Sequence, residues 1–269
     1  MKTTMQDQYR KDRLLVMGLL LGIALIVHVV YTLYVRPEAA AWQVRETATA
    51  AANPGYVPGR SIMVILKDPE QETAVILGIW ALALAALKAR GLTRHRRQLE
   101  RGLLQVPTGF RILPTDVREY GRKLEDLPPR ERDLIPARTI RRALKRFGET
   151  SNVQDAATTV HDYCDSEASR LDSELSLIRF CVWAIPAVGF VGTVRGIGEA
   201  LAGAQNALRG DTGPVTSGLG IAFNSTFVAL IISIILMYVV HELQLRQERL
   251  VLDTELHVDD AVISNLQTR

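Results

Sequence analysis

From Leu14 to Val35 the chain runs for about 22 residues without an acid, lysine or arginine, and from Thr216 to Val240 for about 25. At about 1.5 Å of rise per helical residue, either run crosses a hydrocarbon layer about 30 Å thick. Two less regular blocks follow the same pattern. Thr73 to Leu87 is about 15 residues long and spans with snorkelling flanks such as Glu72 and Lys88. Arg179 to Ala204 is interrupted only by Arg195 and Glu199. The expected fold is an all-α integral membrane protein with four transmembrane helices, at 14–35, 73–88, 178–204 and 216–240.

Basic residues set the orientation. Lys2, Arg10, Lys11 and Arg13 precede the first span, and Lys88, Arg90, Arg94, Arg96, Arg97 and Arg101 follow the second. By the positive-inside rule both termini, residues 1–13 and 241–269, lie in the cytoplasm together with residues 89–177. Residues 36–72 and 205–215 then face outward. A leading apolar run after basic residues also suits a signal peptide, but this one is too long and Val35-Arg36-Pro37 is a poor cleavage site, so a retained anchor is expected.

The balance of 32 Lys and Arg against 29 Asp and Glu averages a basic inner rim with mixed loops and says little about partners. Arg94 to Arg97 sit beside a span end, where positive-inside charge explains them better than nucleic acid. Cys164 and Cys181 show no metal spacing and fit a reducing compartment. Gly192-Thr-Val-Arg-Gly-Ile-Gly198 follows no strand and lacks the ending of a phosphate loop. Without a carboxylate pair, a metal cluster or a serine elbow, the chain gives no case for an enzyme, and none for a cofactor.

Between the spans, Pro54-Gly-Tyr and Pro58-Gly mark turns in a small outer segment. On the inner side Pro107-Thr-Gly and Pro114-Thr-Asp116 mark a connector, Asp116 caps a helix to Leu127, and Pro128-Pro129 ends it. Arg130 to Phe147 reads as a surface helix interrupted near Pro136. A helix beginning at Ser151 or Asn152 continues into the third span, and the fourth span continues past His241. Leu245, Leu252, Leu256, Ile263 and Leu266 recur there at helical steps, either as a helix-helix seam or as an amphipathic tail packed on the chain's own helices.

Two threonines carry the functional reading. Thr193 lies about 21 Å along its helix from Arg179, and Thr226 about 22 Å from His241, so both fall near the middle of the bilayer. Pro186, Gly189, Thr193 and Gly196 share one face of the third span, with Gly192 beside it. Gly218, Ala222, Ser225, Thr226, Ala229 and Ser233 share one face of the fourth. Small faces let helices approach closely in lipid, which accounts for the pattern as packing. The hydroxyls, with Asn224 and Ser225, also suit a polar pathway, and the two readings are compatible. Arg195 and Glu199, four apart, suit a structural ion pair or a gate. Asn224-Ser-Thr matches a glycosylation pattern but lies in an apolar span. His28 suits interhelical hydrogen bonding better than a proton relay.

Ala184-Ile-Pro-Ala-Val-Gly-Phe-Val-Gly-Thr-Val-Arg-Gly-Ile-Gly198, followed by Gly218-Leu-Gly-Ile-Ala-Phe-Asn-Ser-Thr-Phe-Val-Ala229, resembles the MotA/TolQ/ExbB proton channel family. The close resemblance covers about residues 175 to 245. It implies a stator-type subunit of the bacterial inner membrane, with third and fourth spans extended into a helical cytoplasmic domain and a homopentamer enclosing two single-span MotB/TolR/ExbD-like helices. The titrating aspartate of such a pair belongs to the partner. Thr193 and Thr226 take the places of the family's pore threonines, with Ser225 and Asn224 beside them. Pro186, Gly189, Gly192, Gly196, Ala222 and Ala229 supply the packing around the partner. Arg195 stands where an apolar residue is usual, and Asn224-Ser225 make the fourth span more polar than the family pattern. Four spans look like the flagellar branch, whereas Gly-Phe-Val-Gly-Thr-Val looks like TolQ and ExbB. The other reading of the same features is a non-conducting oligomeric scaffold whose inner helices recruit partners. No nucleic acid is expected, and membrane lipids are.

Overall fold

The computed structural model describes residues 2–53, 56, 59–104 and 110–268, with the backbone alone for 2–9, 11 and 12. The turn residues Pro54, Gly55, Pro58 and Pro107 to Gly109 lie outside the described residues. The described residues are mostly helical, and one parallel bridge, Ile112 to Leu266, is the nearest approach to a strand among them. In chain order the helices are α1 (Lys2–Val30), α2 (Arg36–Ala52), α3 (Ile62–Leu66), α4 (Pro69–Glu100), α5 (Val117–Glu125) and α6 (Pro129–Arg132). After these come α7 (Ile135–Thr150), α8 (Val153–Ser173), α9 (Ser176–Ala202), α10 (Ala204–Ala207) and α11 (Gly213–Ala261). Four helical stretches, Arg13–Ala52, Pro69–Glu100, Val153–Ala202 and Gly213–Asn265, are long and apolar enough to cross a membrane.

The chain divides into two compact units. The first combines residues 1–84 with 177–239, the second 85–176 with 240–269. Their surfaces differ in kind. In the first, Leu15, Leu21, Leu33, Phe190 and Phe223 are exposed, and Trp183 is 80 % exposed. In the second, Phe147, Ile135, Ile140, Leu144 and Val258 are fully buried. Apolar residues turned outward along helices of spanning length mark a surface solvated by lipid or by other helices, not by water. The protein is a multi-pass membrane protein.

In the first unit α1 does not stop at the expected span end. Residues Tyr31–Val35 form a π-turn, in which the Arg36 N–H bonds to the Tyr31 carbonyl, and α2 then runs helically to Ala52. Pro37 lacks a donor and cannot bond backward, and the wider turn before it absorbs that defect without ending the helix. Residues 36–52, ahead of the expected turns, are therefore helix. Val27, Tyr31 and Val35 form a small core with Met63 and Leu66 of α3 and Val75 and Ile76 of α4. Trp80 Nε1 donates to the Val16 carbonyl at 3.2 Å, tying α4 to α1.

The second unit departs from the sequence reading at several points. Residues 130–147 are not a surface helix: the short α6 precedes α7, whose Ile135, Ile140, Leu144 and Phe147 face is buried. The helix from Asn152, whose side chain caps it by accepting from Gln154 N at 2.9 Å, breaks at Glu174 and Leu175 before α9 begins. There the Leu175 N–H turns to Asp172 O at 3.1 Å, Leu175 is fully buried, and the Glu174 carboxylate takes Lys88 Nζ at 2.6 Å. On α11 the buried face is Leu243, Gln247, Leu250, Thr254, Val258 and Val262, whereas Leu252 and Leu256 are exposed. Asp116 stands at the N-cap of α5, but its carboxylate accepts from Leu113 N and Thr115 Oγ1 and not from a helix N–H.

Candidate functional site

α9 and α11 meet along glycine. A side-chain carbon built on Gly189 would lie 2.5 Å from the Ala229 Cβ, one on Gly192 would overlap Ser225, and one on Gly196 would overlap Ala222 and Gly218. A carbon on Gly218 would lie 2.5 Å from Ala200 N, and one on Gly203 2.6 Å from Pro214. Residue numbers rise by three or four along α9 as their partners fall by three or four along α11. The two helices are antiparallel and in register from 189 to 203, at a separation only hydrogen in place of a side chain permits. Pro186 lies one turn before this seam, inside α9 and half-buried.

That register brings Thr193 and Thr226 together. Their hydroxyls hydrogen-bond to each other. Thr193 Oγ1 also lies 3.2 Å from the carbonyls of Gly189 and Ala222, and Thr226 Oγ1 lies 3.3 Å from Ala222 O. Each hydroxyl has one proton and two lone pairs, so the pair can satisfy its protons internally and still keep acceptor capacity for a further donor. Both residues are half-buried, so the pair borders the seam and also a free face. Ser225 is turned the other way: it is buried, with its hydroxyl donated to Ile221 O at 2.8 Å and its body against Gly192. Asn224 is half-buried on the next position round the helix. Ser233, about two turns beyond Thr226, donates to Val182 O at 2.9 Å and pins the other end of the helix pair.

Arg195, two residues from Thr193, sits in a nest of carboxylates. Its Nε and Nη2 take both oxygens of Glu70 at 2.7 and 2.8 Å, Nη1 takes Glu199 at 2.7 Å, and Asp68 lies 3.8 Å away. The i,i+4 partner is thus joined by two acids from the start of α4. The Glu70 fork is bidentate, the geometry that fixes a guanidinium in orientation as well as in charge. Glu72, on the neighbouring side of α4, is buried and does not snorkel. It bonds His28 Nδ1 at 2.7 Å and Arg36 Nη2 at 2.5 Å. His28 therefore serves an interhelical hydrogen bond. Glu70 and Glu72 lie in the first turn of α4 and Asp68 just before it, where a helix N-terminus favours negative charge.

Asp68, Glu70 and Glu72 are the functional candidates that sequence reasoning missed as partners. Opposite-running spans already put residues 68–72 and 195–199 at the same end, but Glu199 offered a nearer partner. Cys164 and Cys181 are buried free thiols. Among the described residues no cluster of histidine, cysteine and acid could hold a metal ion.

No curated protein and no solved structure matches the chain. Residues 131–256 match the family model described as the MotA/TolQ/ExbB proton channel family. The match begins upstream of the stretch that carries the close resemblance and takes in α7, α8, the glycine seam and both threonines. Residues 131–256, just under half of the chain, thus form a domain similar to the MotA/TolQ/ExbB proton channel family.

Proposed function

We propose that this protein is the ion-conducting subunit of a stator-type complex, coupling inward flow of protons or Na⁺ to mechanical work. In this reading five copies surround two single-span MotB/TolR/ExbD-like helices in the bacterial inner membrane, with both termini cytoplasmic. The partner contributes a titrating carboxylate. The Thr193–Thr226 hydroxyl pair, with Asn224 beside it, forms the polar lining that this carboxylate meets. Ser225, Pro186 and the small residues Gly189, Gly192, Gly196, Ala222 and Ala229 set the helix spacing.

One observation carries the reading: two hydroxyls at the middle of adjacent spans are held against each other by a glycine register and keep acceptor lone pairs. A protonated carboxyl arriving at that face can donate to either oxygen, and a carboxylate can accept once a hydroxyl rotates. One charge crossing about 100 mV releases about 2.3 kcal/mol, so repeated passage supplies work that a static scaffold cannot.

Thr193→Val and Thr226→Val keep the branched shape and remove the hydroxyl. In proteoliposomes containing the subunit and its single-span partner, each should lower ion flux about tenfold, the order of one hydrogen bond to an ionisable group. Wild-type flux in both single variants and in the double variant would rule out the hydroxyl pair as the pathway, and would leave a non-conducting oligomeric scaffold as the better reading.

A further inference from the structure

Within the second unit, the end of α4 and the α6–α7 turn enclose an open pocket of about 570 Å³. Arg94 and Arg97 share one face of α4, Arg101 lies just past its end, and Arg130 of α6 faces the same space. Arg101 pairs loosely with Glu131, at 3.7 Å. Arg94, Arg97 and Arg130 have no ion-pair partner among the described residues. Arg96, on another face of the same helix, does have one: it bonds Glu100 at 3.2 Å. Glu131 and Asp133 also line the pocket, so four guanidiniums face two carboxylates there.

The walls are fixed by hydrogen bonds to backbone. Gln98 Nε2 donates to Glu131 O at 2.7 Å, and His95 Nδ1 accepts from the Ile135 N–H at 3.0 Å. Burial pulls His95 down to about 4, which keeps the ring neutral and able to accept. Gln98 Oε1 is buried with no hydrogen-bond partner among the described residues. Crowded like charges raise the energy of the folded chain until an anion enters among them.

We infer that this pocket binds a phosphate-bearing anion, held by Arg94, Arg97 and Arg130. Guanidinium forks match phosphate oxygens in pairs, which a single acidic side chain cannot use as fully. Along α4 these residues begin about 9 Å beyond Lys88, the inner flank of the second span. An anionic lipid headgroup and a free phosphate-bearing solute share this chemistry. The inference needs α4 to cross the bilayer and does not depend on conduction.

The full-length protein in nanodiscs tests it with two probes, phosphatidylglycerol against a phosphatidylcholine background and inorganic phosphate in solution. Native mass spectrometry should show phosphatidylglycerol retained by the wild type, or calorimetry should show phosphate binding in phosphatidylcholine discs. The first result identifies the lipid as the source and the second a solute. The double variant Arg97→Gln/Arg130→Gln should weaken whichever binding is seen about tenfold or more, Arg97→Lys should restore part of it, and Arg96→Gln should leave it unchanged. Melting curves matching the wild type show that the variants fold. Binding of neither probe, equal binding by the double variant, or capture of a polyglutamate peptide without capture of either phosphate probe would overturn the inference.

Discussion

Arg195 shows how a charge within a span is made tolerable. Its side chain is 34 % exposed, and that of Glu70, its bidentate partner, only 10 %. Removing the arginine strands Glu70 and Asp68, whereas removing a whole pair leaves an apolar gap that methionine can fill. Arg195→Met should therefore destabilise the protein by about 1–3 kcal/mol, between the exposed and buried limits, and Arg195→Met/Glu70→Met should destabilise it less than the single change. Thermal melts in detergent measure the cycle, and purely additive effects would contradict it. The sequence supplied Arg195 and Glu199 because they stand four apart. Glu70 lies 125 residues away, and no local rule selects it from the acids clustered at 68–72. The threonine pair was more legible, since equal depth follows from counting residues between polar flanks.

Among the elements, α8 and α11 are joined at the surface by His161, whose Nδ1 lies 2.9 Å from Glu255 Oε1 and whose Nε2 lies 3.6 Å from Asp165. The bond to Glu255, then the neighbouring acids, raise the imidazole above its usual value. A raised histidine contributes stability that is complete below about pH 6.5, its unfolded value, and is lost as pH climbs through the higher folded value. After correction for intrinsic exchange, amides near 161 and 255 should be better protected at about pH 5.5 than at about pH 8. His161→Gln should flatten that difference, and an unchanged pH dependence in the variant would place its origin elsewhere. Element boundaries were where sequence reading lost ground. The break at Glu174 and Leu175 has neither proline nor glycine to announce it, because a buried leucine and a lysine on α4 create it. Conversely, Pro37 and Pro186 look like stops and are absorbed, one by a π-turn and one inside α9. Of the apolar set expected past the fourth span, Ile263 and Leu266 are buried within the chain and Leu252 and Leu256 are exposed, while Thr254 and Gln247 share the buried face of α11.

For the whole molecule, the four-span plan was legible because hydrocarbon thickness imposes a length that composition reveals directly. The orientation rests on arginine and lysine counts alone, and it can be checked with thiols, since both native cysteines are buried. Leu208→Cys, at a 90 % exposed site after α10, should react with an impermeant maleimide on intact cells. Asp162→Cys, on an exposed position of α8, should react only after lysis. The reverse pattern would invert the topology. The glycine seam has a mechanical consequence for any such assembly. A slide of one helical turn, about 5.4 Å, would press Ala200 against Ala222 and part the two hydroxyls. α9 and α11 are thus keyed into a single stave: any neighbour that turns or rocks against it must move around this pair, or carry both of its helices together.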